Sequence, residues 1–168
     1  MNKTYFEIQT LTLSDLNLLF NIFTQSIRKI ASKDYTHFQI QAWINIPAAQ
    51  WQAKLLTLIT WVAKINTVPV GFISLDRPNH IDMLYIHPDH QCKGIATQLL
   101  STLEQSIITR SISTLTTDAS LTAKPFFEKR GFTTITQQQA RRHGQDLTNF
   151  KMSKDFNPKK LNKNCISL

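Results

Sequence analysis

Residues 81–104 read IDMLYIHPDHQCKGIATQLLSTLE: an apolar strand, a proline-containing turn, a polar loop with one glycine, and an amphipathic helix. The helix spaces Ala96, Leu99, Leu100 and Leu103 at three- and four-residue intervals, so one side is apolar and its first turn falls near Gly94 to Thr97. The first N–H groups of a helix lack intrahelical partners and lie at the positive end of its dipole. Strand, loop and helix in this order build a pocket for a pyrophosphate, bound mostly by main chain. Gly94 and Ala96 suit that task, since a large side chain on the turn would hold a phosphate away from the amides. No Gly-Lys-Ser/Thr follows, which excludes a Walker loop, and the single glycine excludes the GxGxxG dinucleotide fingerprint.

The strand Met83-Leu84-Tyr85-Ile86, the turn His87-Pro88-Asp89 and the loop Gln91-x-x-Gly94-x-Ala96 together resemble the coenzyme A-binding motif of the GNAT acetyltransferases. A second block is similar to that family's second signature: the strand Leu115 to Ser120, then Ala123-Lys-Pro-Phe-Phe-Glu-Lys-Arg-Gly131-Phe132. With Asp34-Tyr35-Thr36-x-x-Gln39-x-x-Ala42-Trp43 added, the chain resembles the YafP-like bacterial branch, over residues 5 to 153. The resemblance implies an acetyl-CoA-dependent N-acetyltransferase in which the primary amine of a small molecule attacks the thioester directly. A non-catalytic acetyl-CoA-binding sensor is the alternative, and an RNA-acting acetylase, resting only on basic charge, is a third reading.

The resemblance also implies site residues. Leu84, Tyr85 and Ile86 would bond pantetheine through main chain, with an amide near Leu84 or Tyr85 facing the thioester oxygen; Leu84 and Ile86 are also natural core residues. Gln91, Cys92, Lys93, Gly94, Ile95, Ala96 and Thr97 match the pyrophosphate loop, although Lys93 could equally be solvated. Cys92 has no adjacent base and is read as a loop residue, not a nucleophile. Ser120 stands where many relatives carry a cofactor-contacting asparagine, and could do similar work or cap the following helix. Phe127 stands in the cofactor site where relatives carry a proton-donating tyrosine, so the usual general acid is missing. For the general base, alternation places His80 and Asp82 on the face of Leu84. Asp118, at a strand end, and a relay through water are further options. Tyr35, with His37, Phe38 and Trp43, is expected to line the acceptor site; a packed surface helix would show the same spacing.

At 168 residues the chain fits one domain with a substantial core. Hydrophobic residues at 42 %, with only 4 Gly and 6 Pro, argue against disorder or low complexity. The longest apolar-rich run, Leu55 to Ile65, is broken by Thr57, Thr60 and Lys64 and is too short to cross a membrane. MNKTYFEIQT lacks the apolar centre of a signal peptide, so a cytoplasmic location is expected. Cys92 and Cys165 form no metal-binding or disulfide spacing, and His87, Asp89 and His90 lack a further ligand, so no metal is expected. The net charge of +8 admits polyanions, yet Lys151, Lys154, Lys159, Lys160 and Lys163 read as a solvated C-terminal stretch. The domain is placed at residues 1–154 and a basic polar tail at 155–168. Expected partners are a small-molecule amine and, compatibly, a second copy in a homodimer, with neither nucleic acid nor membrane.

The remaining pattern reads as a strand over Phe6 to Leu11 and a helix from Ser14-Asp15 carrying Leu16, Leu19, Phe20, Phe23 and Ile27 on one side. Thr36 and Gln39 form a capping box for a short helix ending near Trp43, and Pro47 opens another. A hairpin follows over Leu58 to Ile65 and Val68 to Leu75, turning at Asn66-Thr67. Beyond the Ile81 strand and its helix come strand 113–118, helix 122–130 capped by Gly131, strand 132–138 and strand 147–153. The expected fold is α+β: a single domain with a mixed, mostly antiparallel sheet flanked by helices on both faces.

Overall fold

Val68–Asp76 carries seven consecutive buried residues, from Pro69 to Leu75, and a strand with that profile must be covered on both faces. In the computed structural model, which describes residues 5–156, it is β3 of a seven-stranded sheet. The strands are β1 (Glu7–Thr10), β2 (Ile59–Ile65), β3 (Val68–Asp76), β4 (His80–Ile86), β5 (Thr114–Ser120), β6 (Thr133–Arg142) and β7 (Gln145–Asp155). They lie in the order β1-β2-β3-β4-β5-β7-β6. Every neighbouring pair is antiparallel except β4 and β5, which run parallel. The sheet class therefore matches the expectation.

The helices are α1 (Leu16–Lys29), α2 (His37–Ile44), α3 (Ala48–Leu56), α4 (Ile95–Ile108) and α5 (Lys124–Lys129). Two apolar layers sandwich the sheet. One packs Ile95, Leu99, Leu100, Leu103 and Ile107 of α4 and Phe127 of α5 against Ile73, Leu75, Ile81 and Leu115. The other packs Leu19, Phe23 and Ile27 of α1 and Trp51 and Leu55 of α3 against Val62, Phe72 and Met83. Within the second layer Phe23, Trp51, Phe72 and Tyr85 stack at centroid distances of 5.2–5.8 Å, in the range of favourable aromatic pairs.

Two strands were longer than expected. β6 and β7 extend to meet at a tight turn in which His143 and Gly144 both have positive φ, making a hairpin whose tip is held to α2 by Gln39 Nε2 donating to the Asp146 carbonyl at 2.8 Å. Lys151 and Lys154 thus belong to β7, and Lys154 Nζ pairs with Glu104 of α4 at 2.7 Å. That corrects the reading of both as part of a tail and of Lys154 as solvated, whereas Lys151 is exposed on its strand; Lys159, Lys160 and Lys163 lie outside the described residues.

A second departure governs the site. Ser74 sits opposite Met83, but Leu75 sits opposite Ile81, so β4 carries one extra residue, Asp82, in a β-bulge. The bulge resets alternation: Leu84 and Ile86 pack with the α4 layer, whereas Met83 and Tyr85 pack with the α1/α3 layer. Asp82 turns toward α3 and pairs with Lys54 Nζ at 2.8 Å. The expected common face of His80, Asp82 and Leu84 is therefore corrected, because a period of two does not survive an inserted residue.

Asp15, buried before α1, holds the first strand to the layer behind it. One carboxylate oxygen accepts from the Thr12 N–H at 3.0 Å and the Thr12 hydroxyl at 2.8 Å, and the other pairs with Lys64 of β2 at 2.8 Å. Burial pushes its pKa up, but the Lys64 and Thr12 bonds outweigh it and hold the carboxyl below its ordinary value. Its stabilisation is complete above about pH 4 and fades as pH falls through the lowered folded pKa. Asp15→Asn is expected to cost about 3 kcal/mol near neutral pH, because Lys64 loses its partner, and less in acid. Urea unfolding at pH 7 and pH 3 measures this; an unchanged midpoint at pH 7 contradicts it.

Candidate active site

β4 and β5 pair at only two positions, His80 with Thr116 and Ile81 with Thr117, and then part. His87 donates its N–H to the Val70 carbonyl, and in an antiparallel ladder this directs the main-chain groups of Tyr85 and His87 toward β3. Those of Leu84 and Ile86 face the opening toward β5. The Ile86 carbonyl is already bonded there, accepting from Ser26 Oγ at 2.6 Å and Gln91 Nε2 at 2.8 Å. Leu84 presents its main chain to the gap, while Tyr85 contributes its side chain instead of its amide.

The gap opens into a groove of about 180 Å3 between the strands. Ser26 and Ile27 of α1, Leu84 to Ile86 of β4, Gln91 and Ala96 of the loop and helix, and Ala123 before α5 with Phe126 within it form its walls. One end reaches the start of α4. There Cys92 and Gly94 take left-handed backbone conformations, φ 59° and 80°, and turn the loop so that the helix amides face outward. A Cβ placed on Gly94 would meet nothing within 4 Å, so the space above that turn is open. The loop's side chains mostly serve the loop itself. Lys93 Nζ bonds the Asp89 carbonyl at 3.1 Å, Cys92 is exposed, and Ile95 is buried in the core.

Thr97 brings a residue that sequence reasoning missed. Its hydroxyl accepts from Arg130 Nη2 at 2.7 Å, and the Arg130 guanidinium also lies over the Phe126 ring at 5.7 Å, placing a cation beside the start of α4. The exposed guanidinium in the Arg-Gly-Phe segment carried no periodicity to mark it. Phe126, not Phe127, faces the groove. Phe127 is buried, packs on Phe132 at 5.1 Å, and reaches only a small cleft below the gap.

The other end of the groove meets a second cavity, of about 240 Å3, on the α1/α3 face of the sheet. Trp43, Tyr85 and Ser120 line both spaces. His80, Asp82, Asp118 and Asn149 contribute polar atoms to the second, and Gln138, Ala140 and Arg142 line it from one face of β6. His80 and Asp118 therefore meet where the strands diverge: Nε2 lies 4.0 Å from the Asp118 carboxylate, and Nδ1 lies 3.0 Å from Thr116 Oγ1. Asp82 faces the same cavity with its charge balanced by Lys54. Burial drives the Tyr85 phenol well above its ordinary pKa, with the Arg142 charge opposing and Asp82 adding to the rise. Ser120 Oγ accepts from the Ala123 N–H at 3.0 Å, so capping is the role its hydrogen bonding shows.

Tyr35 reaches this cavity with its ring, 5.3 Å from Trp43, but its hydroxyl is fully engaged. It donates to the Thr148 carbonyl at 2.6 Å and accepts from the Leu121 N–H at 2.9 Å, tying β7 to the segment after β5. Burial raises its pKa and keeps that hydroxyl protonated. The expectation that Tyr35 binds the acceptor is corrected to this extent: the ring is available and the oxygen is not. His37 and Phe38 lie outside this cavity. Among the described residues no cluster of three or more His, Cys, Asp or Glu side chains could hold a metal ion, and no helix is long and apolar enough to cross a membrane.

Residues 31–154 match the model of the acetyltransferase (GNAT) domain. YafP of Escherichia coli (strain K12), an uncharacterized N-acetyltransferase, is 44 % identical over 138 residues, 82 % of this chain and 88 % of the relative. A crystal structure of a GCN5-related N-acetyltransferase from Rhodopseudomonas palustris superposes with TM-score 0.89 at 34 % identity, covering 93 % of this chain and 99 % of the other. The PaiA N-acetyltransferase from Thermoplasma acidophilum, solved in complex with coenzyme A, shares the fold with TM-score 0.73 at 21 % identity, covering 90 % and 99 %.

Tyr35→Phe keeps the ring but leaves the Leu121 N–H and Thr148 carbonyl without their shared partner. The expected loss is about 1–2 kcal/mol of unfolding free energy, measured by urea titration. A variant as stable as the parent contradicts the bridging role.

Proposed function

The chain belongs to the GNAT acetyltransferase family, and from that membership we propose that it transfers the acetyl group of acetyl-CoA to the primary amine of a small molecule by direct attack. The observation that carries this reading is the parting of β4 from β5 after two paired residues, which joins a narrow groove to a polar cavity at Trp43, Tyr85 and Ser120. The donor is suited to the groove by three features: main-chain groups of Leu84 facing the gap, apolar walls for a pantetheine arm, and an open turn at Gly94 beneath which the α4 amides point outward. The acetyl thioester supplies an activated carbonyl and a thiol leaving group.

The chain's own residues divide the work. Amides of residues 92–97 and the Arg130 guanidinium hold the phosphates. The Leu84 N–H, facing the gap, is the main-chain donor for an oxygen that gains charge at the reacting carbon. His80 takes the proton from the amine on Nε2, which lies 4.0 Å from the Asp118 carboxylate, while the hydrogen bond between Nδ1 and Thr116 Oγ1 orients the ring; Asp82 is neutralised by Lys54. Binding both reactants at one junction accounts for a further part of the acceleration.

Calorimetry with acetyl-CoA tests the reading at its foundation. The parent protein should bind, and Gly94→Glu should weaken binding at least tenfold by placing a carboxylate where phosphate sits. Gly94→Asn, which tolerates the left-handed backbone, checks that the fold survives. No binding by the parent, or none lost in Gly94→Glu, refutes the site. Free-thiol release across a panel of amines separates an enzyme from a sensor: binding without release favours the sensor. His80→Gln should lower kcat about 100-fold while leaving acetyl-CoA affinity unchanged; an unchanged kcat removes His80 as the base.

A further inference from the structure

Two polar side chains lining the second cavity each carry a group without a partner. Asn149 Oδ1, shut off from solvent, accepts no hydrogen bond. Arg142, an exposed residue, lines the same cavity and a contiguous one of about 360 Å3, and among the described residues its guanidinium has no carboxylate partner. Its neighbour Arg141, on the opposite face of β6, is paired with Asp146 at 3.1 Å, so the turn's own acid is already used. Of the carboxylates lining that cavity, Asp82 belongs to Lys54 and Asp118 sits by His80.

A buried acceptor with nothing to accept is costly, and rotation of the Asn149 amide into the cavity its side chain lines would bring it a ligand's donor. An arginine without a carboxylate is suited to bind one, since its planar fork matches that anion through two parallel bonds. Strand register places these groups in line. Ser120 lies opposite Asn149, Asn149 opposite Gln138, and Gln138, Ala140 and Arg142 follow along one face of β6. Four residues of strand, from Gln138 to Arg142, span about 13 Å, and both ends line the one cavity. The Arg142 charge is felt at the Tyr85 phenol, so the guanidinium bears on the cavity from the turn end.

We propose that the acceptor is an amine that also carries a carboxylate: its nitrogen sits at the Asn149, His80 and Asp118 end beside Ser120, and its carboxylate on Arg142. Trp43 and Tyr35 close the middle as apolar walls suited to a short carbon chain. This deepens the proposed acetyl transfer and rests on it. Oriented at both ends, the nitrogen attacks the acetyl carbon, the C–S bond breaks, and coenzyme A leaves as thiolate while the amine proton passes to His80.

The test compares ω-amino acids of increasing chain length with the carboxamide of each, using the parent, Arg142→Ala and Arg142→Lys. Calorimetry reads acceptor binding and thiol release reads turnover. The parent should prefer the acid over its amide at least tenfold in both, with an optimum at one chain length. Arg142→Ala should lose that preference by binding the acid more weakly, with amide turnover and acetyl-CoA affinity unchanged, and Arg142→Lys should restore it in part. Equal treatment of acid and amide by the parent, or an equal fall for both in Arg142→Ala, overturns the inference while acetyl transfer stands. Failure to bind acetyl-CoA or to release thiol with any amine instead overturns the reading beneath it. No calorimetric preference for the acid in that case overturns both.

Discussion

The parting of β4 from β5 is the constraint on which the rest of the architecture depends. Two parallel strands in the middle of a sheet normally satisfy each other's amides along their full length, and a gap there exposes main-chain groups that must find partners. Several devices hold the gap open. Ser26 and Gln91 bond the Ile86 carbonyl, α1 lies behind it, and Tyr35 anchors the segment leaving β5 to the Thr148 carbonyl of β7. The groove is thus a wedge braced on both sides, with main chain left exposed where Leu84 faces it.

The bulge at Asp82 is what gives the wedge two different sides. Without the extra residue, alternation would carry the polar side chains of lower β4 onto the face packed by α4, where Leu99, Leu103 and Ile107 offer nothing to bond. With it, Leu84 stays in the α4 layer while His80 and Asp82 reach the opposite face, beside Asp118 and Ser120 of β5. A single inserted residue thereby separates apolar packing from polar chemistry across one strand.

The sheet, the helices and the loop at Gly94 were legible in the sequence because each carries a local signal: period-two runs, the Thr36–Gln39 box, the glycine before an apolar stripe. What was not legible is non-local. Nothing in IDMLYI marks the bulge, since its cause is the register against β3. Phe126 and Phe127 are adjacent and chemically alike, and only the placement of α5 decides which meets the groove. The Tyr35 hydroxyl is spent on partners 86 and 113 residues away, and Arg142 comes to the cavity through the β6–β7 hairpin, whose length the alternation of Thr and Gln did not reveal.

Phe127 raises the question of what receives the charge when the thiol departs. Tyr85 is the phenol nearest the junction of the two cavities, and its position invites the role that a tyrosine at 127 would fill. Its environment argues otherwise. Burial holds the Tyr85 pKa far above its ordinary value, whereas a thiolate's conjugate acid lies near 8.5. Proton transfer from that phenol to sulfur therefore runs uphill. Tyr85 can lend a hydrogen bond and keep its proton. On the acetyl-transfer reading, coenzyme A leaves as a thiolate, and the cost is small because sulfur, unlike an alkoxide, carries charge near neutral pH. Once the amine is neutral, the proton taken from it by His80 is the only one the attack must move, which places the demand for acid–base chemistry on the acceptor side of the wedge.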